Sequence, residues 1–346
     1  MVVAIVREII SRSHEAEGLS FNTIYFGGGT PSILGIGDVE KIFSSLYRSF
    51  KISKEAEITI EANPDDISED FLEMLRKYTP VNRLSIGIQS FNDHDLVILN
   101  RIHNSAKGLR SVEMAKRNGF SNLNIDLIYA IPGSTLQNWE KNLLTFKSLD
   151  VPHLSAYELT VEPHTVFAYF RKKGRIAEKQ DEEKVEQFLM LKDFTAKEGY
   201  EHYEISNYAR PGFHSIHNLG YWSGEPYLGF GPSAHSFSGG VRRWNLSNNT
   251  LYLDNIETNR NEYFETEVIT SRTAYNEYLL TSLRTMWGSD TNKIKSEFGK
   301  DVFEHFMKEA SRFIKSGKLV SIHDHVMLSS DGMLIADYIT SELMLV

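Results

Sequence analysis

The sequence predicts an α/β protein, with a parallel sheet and helical crossovers over its front two-thirds and a small winged-helix-like α+β unit behind. Three observations carry this. Short apolar runs alternate with amphipathic helical stretches as far as residue 205, the pattern of repeated β-then-α units. A length of 346 residues exceeds one small module and suits a large α/β domain with an appendage, since domains run ~100–200 residues and barrels reach ~250. Hydrophobic content of 41% and charged content of 24% give an ordinary buried core and exclude disordered, collagen-like and fibrous chains.

The elements follow in order. Residues 4–17 read as a helix, and 22–26 as a strand that stops at three glycines. A helix over 38–50 has Asp38 as its expected N-cap before Val39, Ile42 and Phe43. A strand at 57–61 precedes a helix over 68–78 capped by Ser68. Strands at 83–88, 123–128, 153–157 and 203–205 are separated by helices at 105–118, 135–149 and 181–198. From 206 to about 270 the chain becomes loop-rich and crowded with His, Tyr, Trp, Asn and Gly. The remainder, 271–346, reads as helices at 275–286, 290–297 and 301–316, strands near 319–322 and 326–328, and a last helix. Three units are therefore expected: 1–205, 206–270 and 271–346.

No apolar run approaches the ~18–20 residues of a membrane span, and no signal-peptide pattern opens the chain, so a cytoplasmic location is expected. Lysine plus arginine is 37 against 46 aspartate plus glutamate, a net charge of −9, whereas a nucleic-acid binder is more often basic. Residues 289–319 carry seven basic and five acidic side chains, the density of a solvated helix face rather than a DNA-binding surface. No nucleic-acid partner is expected. The chain has no cysteine, which excludes disulfides and thiolate-ligated metal within it.

In a parallel α/β sheet, ligands bind at the carboxyl ends of the strands. Gly27-Gly28-Gly29-Thr30-Pro31-Ser32 follows a strand directly and offers close backbone approach to a ligand, although a tight turn explains the glycines equally well. It is neither a Walker loop nor a good Rossmann fingerprint. Glu61 closes the second strand, Gln89 follows the third, Asp126 lies in the fourth, and Arg101 sits between two helical stretches. Each alone could be a satisfied structural group. Together they supply acceptors for ribose hydroxyls or an ammonium and a guanidinium for a carboxylate, the needs of a nucleoside amino acid.

Four motifs in this order (Gly-Gly-Gly-Thr-Pro-Ser, Ile-Glu-Ala-Asn-Pro, Leu-Ser-Ile-Gly-Ile-Gln-Ser-Phe and Asn-Ile-Asp-Leu-Ile-Tyr-Ala-Ile-Pro-Gly) resemble the radical S-adenosylmethionine (SAM) family of oxygen-independent coproporphyrinogen III oxidase and its relatives. The resemblance implies an incomplete (β/α) barrel. It also implies that Gly28, Gly29 and Thr30 contact the methionine end of SAM, while Glu61, Gln89, Arg101 and Asp126 hold its ribose and amino-acid groups, with Thr160 a weaker carry-over. The family's three cysteines, which ligate a 4Fe-4S cluster in the loop after its first strand, have no counterpart here. This chain starts at what looks like the following helix, so the barrel's first strand is expected to be missing. A truncated coding sequence is the expected reason, because a lost barrel strand exposes an unpaired edge; a natural cluster-free form is the other. No SAM cleavage is expected from this cysteine-free chain.

The segment His217-Asn218-Leu219-Gly220-Tyr221-Trp222 falls in the aromatic region. Neutral imidazole is a good iron ligand and flat aromatics can pack on a porphyrin face, but aromatics beside a histidine are also common packing. The segment resembles the His-Asn-x-x-Tyr-Trp signature of HemW-type heme chaperones. That resemblance makes His217 the candidate heme-iron ligand, with Asn218, Tyr221 and Trp222 around the heme; His214 and His235 are nearby but less specific. The function expected is therefore heme binding and delivery to an unidentified acceptor protein, which could be membrane-associated. The competing readings are a coproporphyrinogen III oxidase that decarboxylates two propionates, and a binding module that has lost its cofactor.

Overall fold

The computed structural model describes residues 1–161, 166–174 and 177–346. The chain opens with helix α1 (Val2–Ser11) and a 3-10 turn at Ser13–Ala16, where one helix over 4–17 was expected. Five β-then-α steps follow. Strand β1 (Ser20–Phe26) leads through the glycine loop to α2 (Ile36–Ser49), and β2 (Lys51–Ala62) to α3 (Glu69–Tyr78). Strand β3 (Arg83–Gln89) precedes α4 (Asp93–Ile98) and α5 (Ser105–Arg117), and β4 (Asn122–Tyr129) precedes α6 (Leu136–Leu149). Strand β5 (His153–Glu158), α7 (Val166–Lys172), α8 (Asp181–Lys197), β6 (Glu201–Glu204) and β7 (Asn207–Ala209) complete this part.

The caps differ from expectation at one place. Ser68 accepts from the Phe71 N–H as expected, but Gly35 rather than Asp38 stands before α2. Asp38 lies in the first turn, where its charge suits the helix dipole and pairs with Lys41 at 2.8 Å.

Seven strands form one curled half-barrel sheet in the order β1-β2-β3-β4-β5-β7-β6. Neighbours from β1 to β5 run parallel, as the alternating pattern predicts. The strand expected at 203–205 does not continue that series: β7 is antiparallel to β5, and β6 is antiparallel to β7. Only Ile205 and Ser206 separate β6 from β7, and so short a link can join only antiparallel strands. The sheet thus runs past residue 205.

Both faces of this sheet are covered, with different chemistry. Ile24, Ile58, Ile60, Leu84, Ile86, Leu123, Ile125 and Leu154 pack into the core that includes Phe43, Leu72, Val112 and Phe146 from the surrounding helices. The alternate positions, which face the opposite side of a strand, are polar: Thr23 and Tyr25, Glu57 and Glu61, Arg83 and Ser85, Asn124 and Asp126, His153 and Ser155. The barrel interior is therefore lined with hydrogen-bonding groups.

Behind the sheet come α9 (Ile216–Ser223), β8 (His235–Ser238), β9 (Val241–Asn245), α10 (Asn249–Thr258) and β10 (Phe264–Val268), the strands forming an antiparallel sheet β10-β9-β8. The segment that reads as loop-rich is thus largely regular structure. The last unit contains α11 (Ser271–Ser282), β11 (Ser289–Asp290), α12 (Thr291–Lys293), α13 (Lys300–Lys315), β12 (Leu319–Ile322), β13 (His325–Leu328), α14 (Ser330–Met333) and α15 (Ala336–Leu343). Its own core gathers Tyr275, Leu279, Phe306, Phe313, Val326 and Ile339. The expected two-stranded wing gains β11 as a third strand, in the order β11-β13-β12. Among the described residues no helix is long and apolar enough to cross a membrane.

Helix α1 is fastened to the middle segment by one fully buried carboxylate. Glu8 accepts from Arg12 (2.9 Å), Asn245 Nδ2 (2.8 Å), the Tyr252 hydroxyl (2.7 Å) and the Gly231 N–H (2.8 Å). Glu8→Ala should lower the free energy of unfolding by about 3 kcal/mol, the low end for breaking a buried pair, since Arg12 keeps Glu15. Glu8→Gln, which keeps the shape, should cost less; urea titration of both variants checks the order.

Candidate functional site

The candidate site is built on the polar inner face of the sheet. At the exit of β1, Gly27 has no room for a side chain: a Cβ there would lie 2.5 Å from Tyr25 Cε1 and 2.7 Å from Glu61 Oε1. Gly28 takes a left-handed φ of 78°, which glycine adopts at least cost. Gly29 and Thr30 complete the loop, with the Thr30 carbonyl accepting from the Ile33 N–H at 3.2 Å. Glu61, at the end of β2, accepts the Tyr25 hydroxyl on Oε1 at 2.8 Å, and its Oε2 has no hydrogen-bond partner among the described residues.

Gln89 also departs from ordinary backbone, with φ of 68° at a register shift between β3 and β4. Gly87 leaves room for the Gln89 side chain where it lies, because a Cβ there would meet Gln89 Nε2 at 2.9 Å. Asp126 accepts from Asn124 Nδ2 at 2.7 Å. Burial pushes its carboxyl up to about 6, and the charge of Glu61 adds to the shift. Arg101 lies between α4 and α5, and its side chain has no hydrogen bond or ion pair to a described residue. Partial desolvation lowers its pKa, opposed by the charge of Asp126. Thr160 is exposed and its hydroxyl reaches the Glu158 carbonyl at 3.5 Å; no hydrogen bond joins it to the others among the described residues.

The His-Asn-x-x-Tyr-Trp segment forms α9, and the barrel holds that helix by its first turn. Ser215 is the N-cap, accepting from the Asn218 N–H. Glu57, inside the barrel on β2, accepts from the backbone N–H groups of Ile216 (3.1 Å) and His217 (3.0 Å). A carboxylate at a helix N-terminus satisfies otherwise orphaned donors and complements the dipole. Arg83, 2% exposed, lies with its Nε 3.9 Å from Glu57 Oε2.

This docking turns the His217 ring into the barrel. Its Nδ1 lies 2.8 Å from Thr23 Oγ1, its Nε2 3.1 Å from the Tyr221 hydroxyl, and the ring stacks on Tyr25 at 4.7 Å and 16°. Burial, assisted by the Arg83 charge, lowers its pKa to about 4, so the ring is neutral near pH 7. A phenol that donates to Nε2 leaves the ring proton on Nδ1, directed at Thr23.

Tyr221 is 41% exposed and packs edge-on against both His217 and Tyr227. Trp222 lies elsewhere, with the Arg284 guanidinium 5.4 Å from its ring and its indole N–H buried without an acceptor among the described residues. Asn218 lends its backbone N–H to the cap. His214 pairs with Glu201 at 2.8 Å, and His235, exposed, stacks on Trp244.

A second chain of hydrogen bonds starts at Asp126. Asn124 donates to Asp126 and lies 2.6 Å from His153 Nδ1 through its Oδ1; His153 Nε2 lies 2.7 Å from the Tyr203 hydroxyl, which accepts from the Ser215 N–H at 3.4 Å. The two groups of residues singled out from the sequence therefore meet in one interior. Thr23, Tyr25, Glu57, Arg83 and His153, which join them, were not singled out. Their signal is the polar residue at every second position of successive strands.

The sequence profile of the radical SAM superfamily matches residues 2–145, and that of the HemN C-terminal domain matches 269–335. The chain is 33% identical over 335 residues to a heme chaperone HemW of Bacillus subtilis (strain 168), covering 96% of this chain and 88% of that protein. It is 31% identical over 329 residues to a heme chaperone HemW of Lactococcus lactis, covering 95% and 86%. Its fold is similar to that of coproporphyrinogen III oxidase (HemN) from Escherichia coli, described as a radical SAM enzyme, with a TM-score of 0.84 and 24% identity over 99% of this chain and 82% of that one.

The buried histidines set a pH dependence. His217 and His202 are both lowered to about 4, and His153 well below 6.5, in each case chiefly by burial. Between about pH 6.5 and 4 the unfolded chain binds protons at these sites that the folded chain does not, so their contribution is lost as pH falls. Asp126 acts oppositely between about 6 and 3.8, where the folded state holds the extra proton. Burial also lowers His103 and raises Asp95, so four histidines stand against two carboxyls and the unfolding free energy from urea titration should fall from pH 7 to pH 5. His202→Gln should flatten that slope.

Proposed function

This chain belongs to the HemW family of the radical SAM superfamily, and from that premise we propose that it binds heme through His217 and passes it to an acceptor protein. The observation that supports this most is the state of the imidazole. His217 is neutral, its Nδ1 is fixed by Thr23, and its Nε2 faces only a half-exposed phenol. A histidine anchored through one nitrogen presents the other to a metal in a set orientation. Iron would take the place of the Tyr221 hydroxyl, and Tyr221, Tyr227 and Phe237 offer ring surface beside it. Asn218 and Trp222 act on the position of the helix, through the cap and the contact with Arg284. A ligand held by displaceable contacts rather than a closed cage suits transfer. The acceptor and the cytoplasmic location belong to this proposal.

The polar cluster fits SAM. Glu61 and Asp126 supply acceptors for ribose hydroxyls and an ammonium, Arg101 a free guanidinium for the carboxylate, and Gln89 an amide. Gly27 and Gly87 leave out the side chains that would displace Glu61 and Gln89. Gly28, Gly29 and Thr30 give backbone groups at the exit of β1, and Thr160 enters this proposal on the family resemblance alone. An iron–sulfur cluster does not fit the residues of this chain, which has no cysteine. The coproporphyrinogen III oxidase reading rests on the shared motifs, the C-terminal profile and the fold.

Hemin titration tests the proposal. A Soret shift is expected on adding hemin, and His217→Ala should weaken it and change its position. Asn218→Ala should have a smaller effect, while Tyr221→Ala or Trp222→Ala should lower affinity without changing the iron's ligand. An unchanged spectrum and affinity in a folded His217→Ala variant would remove His217 as the ligand. Turnover of coproporphyrinogen III without hemin binding would favour the oxidase.

A further inference from the structure

Tyr25 touches both groups of residues at once. Its hydroxyl donates to Glu61 Oε1 at 2.8 Å, and its ring lies against the His217 imidazole at 4.7 Å and 16° from parallel. The missing Cβ of Gly27 gives both side chains their room, since a methyl group there would collide with Tyr25 and with the Glu61 carboxylate. The contact is a built feature of the β1–β2 exit. We propose that Tyr25 is a positioning residue for the heme ligand: the Glu61 carboxylate holds Tyr25, and Tyr25 holds the His217 ring at the angle at which Nε2 meets iron.

The inference rests on the heme reading above and adds a coupling to it. Among the described residues Glu61 Oε2 has no hydrogen-bond partner, so a hydroxyl or ammonium donor of a nucleoside ligand can bind there while Oε1 still accepts from Tyr25. Such a ligand fixes the carboxylate, the carboxylate fixes the phenol, and the phenol narrows the motion of the imidazole. Occupancy of the nucleoside pocket then favours heme on His217, and by linkage heme favours the nucleoside ligand. The stack alone supplies a face for His217 but leaves the Tyr25 ring free to turn; the hydrogen bond at its far end removes that freedom.

The test is a double-mutant cycle read by hemin. Glu61→Ala and Tyr25→Phe should each weaken hemin binding about fivefold, the low end of usual coupling between sites. The double variant should be no weaker than either single one, because both break the same link. The Soret position should stay that of the wild type, since His217 remains the ligand. Glu61→Gln, which retains an acceptor oxygen for the phenol, should restore wild-type affinity and excludes a loss of folding as the cause. A second readout needs no heme: the 15N shifts of the His217 ring should move in both Glu61→Ala and Tyr25→Phe and stay in place in Glu61→Gln. Additive losses in the double variant, or His217 shifts indifferent to Glu61→Ala, would overturn the coupling. Wild-type protein that binds no hemin would refute the heme reading instead, and the ring shifts would then decide the Tyr25 link alone.

Discussion

The carboxylate of Glu57 is the contact on which the site depends. It is buried on β2, yet its partners are the backbone N–H groups of a helix some 160 residues later in the chain. Helix α9 has eight residues, among them His, Asn and Gly, which favour helix poorly. So short a helix is marginal by itself, and external hydrogen bonds to its first turn fix both its existence and its direction. Once that turn is fixed, His217 has one place to go, between Thr23 and Tyr25. The orientation of His217 is thus a property of the barrel interior transmitted through one anion.

A barrel filled with polar groups holds together only if each group is satisfied or near solvent, because an unpaired buried donor or acceptor costs about 1–3 kcal/mol. Here the solution is a network of side chains. Asn124 serves Asp126 and His153, Tyr203 serves His153 and the α9 cap, and Ser155 reaches Asn207. Such a network specifies one arrangement, since shifting any member leaves another unpaired. The shift of Asp126 and the depressed histidines come from the same enclosure. The groups proposed for binding and those of the scaffold share one hydrogen-bond network.

The legible part of this protein is where polarity interrupts an apolar run. Glu61, Gln89 and Asp126 stand at or near the ends of hydrophobic strands, and a reader who knows where ligands sit on parallel sheets finds them. Thr23 and Tyr25 pass unnoticed because threonine and tyrosine are good strand residues in their own right. Glu57 looks like the polar start of a strand, since the six residues Lys51–Ala56 that precede it in β2 have no clear apolar signal. The left-handed backbone at Gln89 is invisible in a sequence, because nothing about glutamine announces it. The β8–β10 sheet and α9 were hidden for another reason: their order comes from contacts with segments more than 150 residues away, which no local window contains.

The Glu8 clamp sets an order of events for a chain being made. Asn245 and Tyr252, which complete the coordination of Glu8, lie 237 and 244 residues later in the chain. At synthesis rates of about 5–20 residues per second, that interval is roughly 12–50 seconds. Throughout it, α1 has an apolar face and a carboxylate awaiting a pocket that does not yet exist. The nascent sheet can assemble step by step from neighbouring β-then-α units, with Ile9 of α1 packing into its core, but Glu8 stays without its later partners until residues 231–252 arrive. A helix translated well before its partners is among the last to be locked, so the nascent protein passes through a prolonged interval in which α1 remains adhesive and a holding chaperone has something to grip.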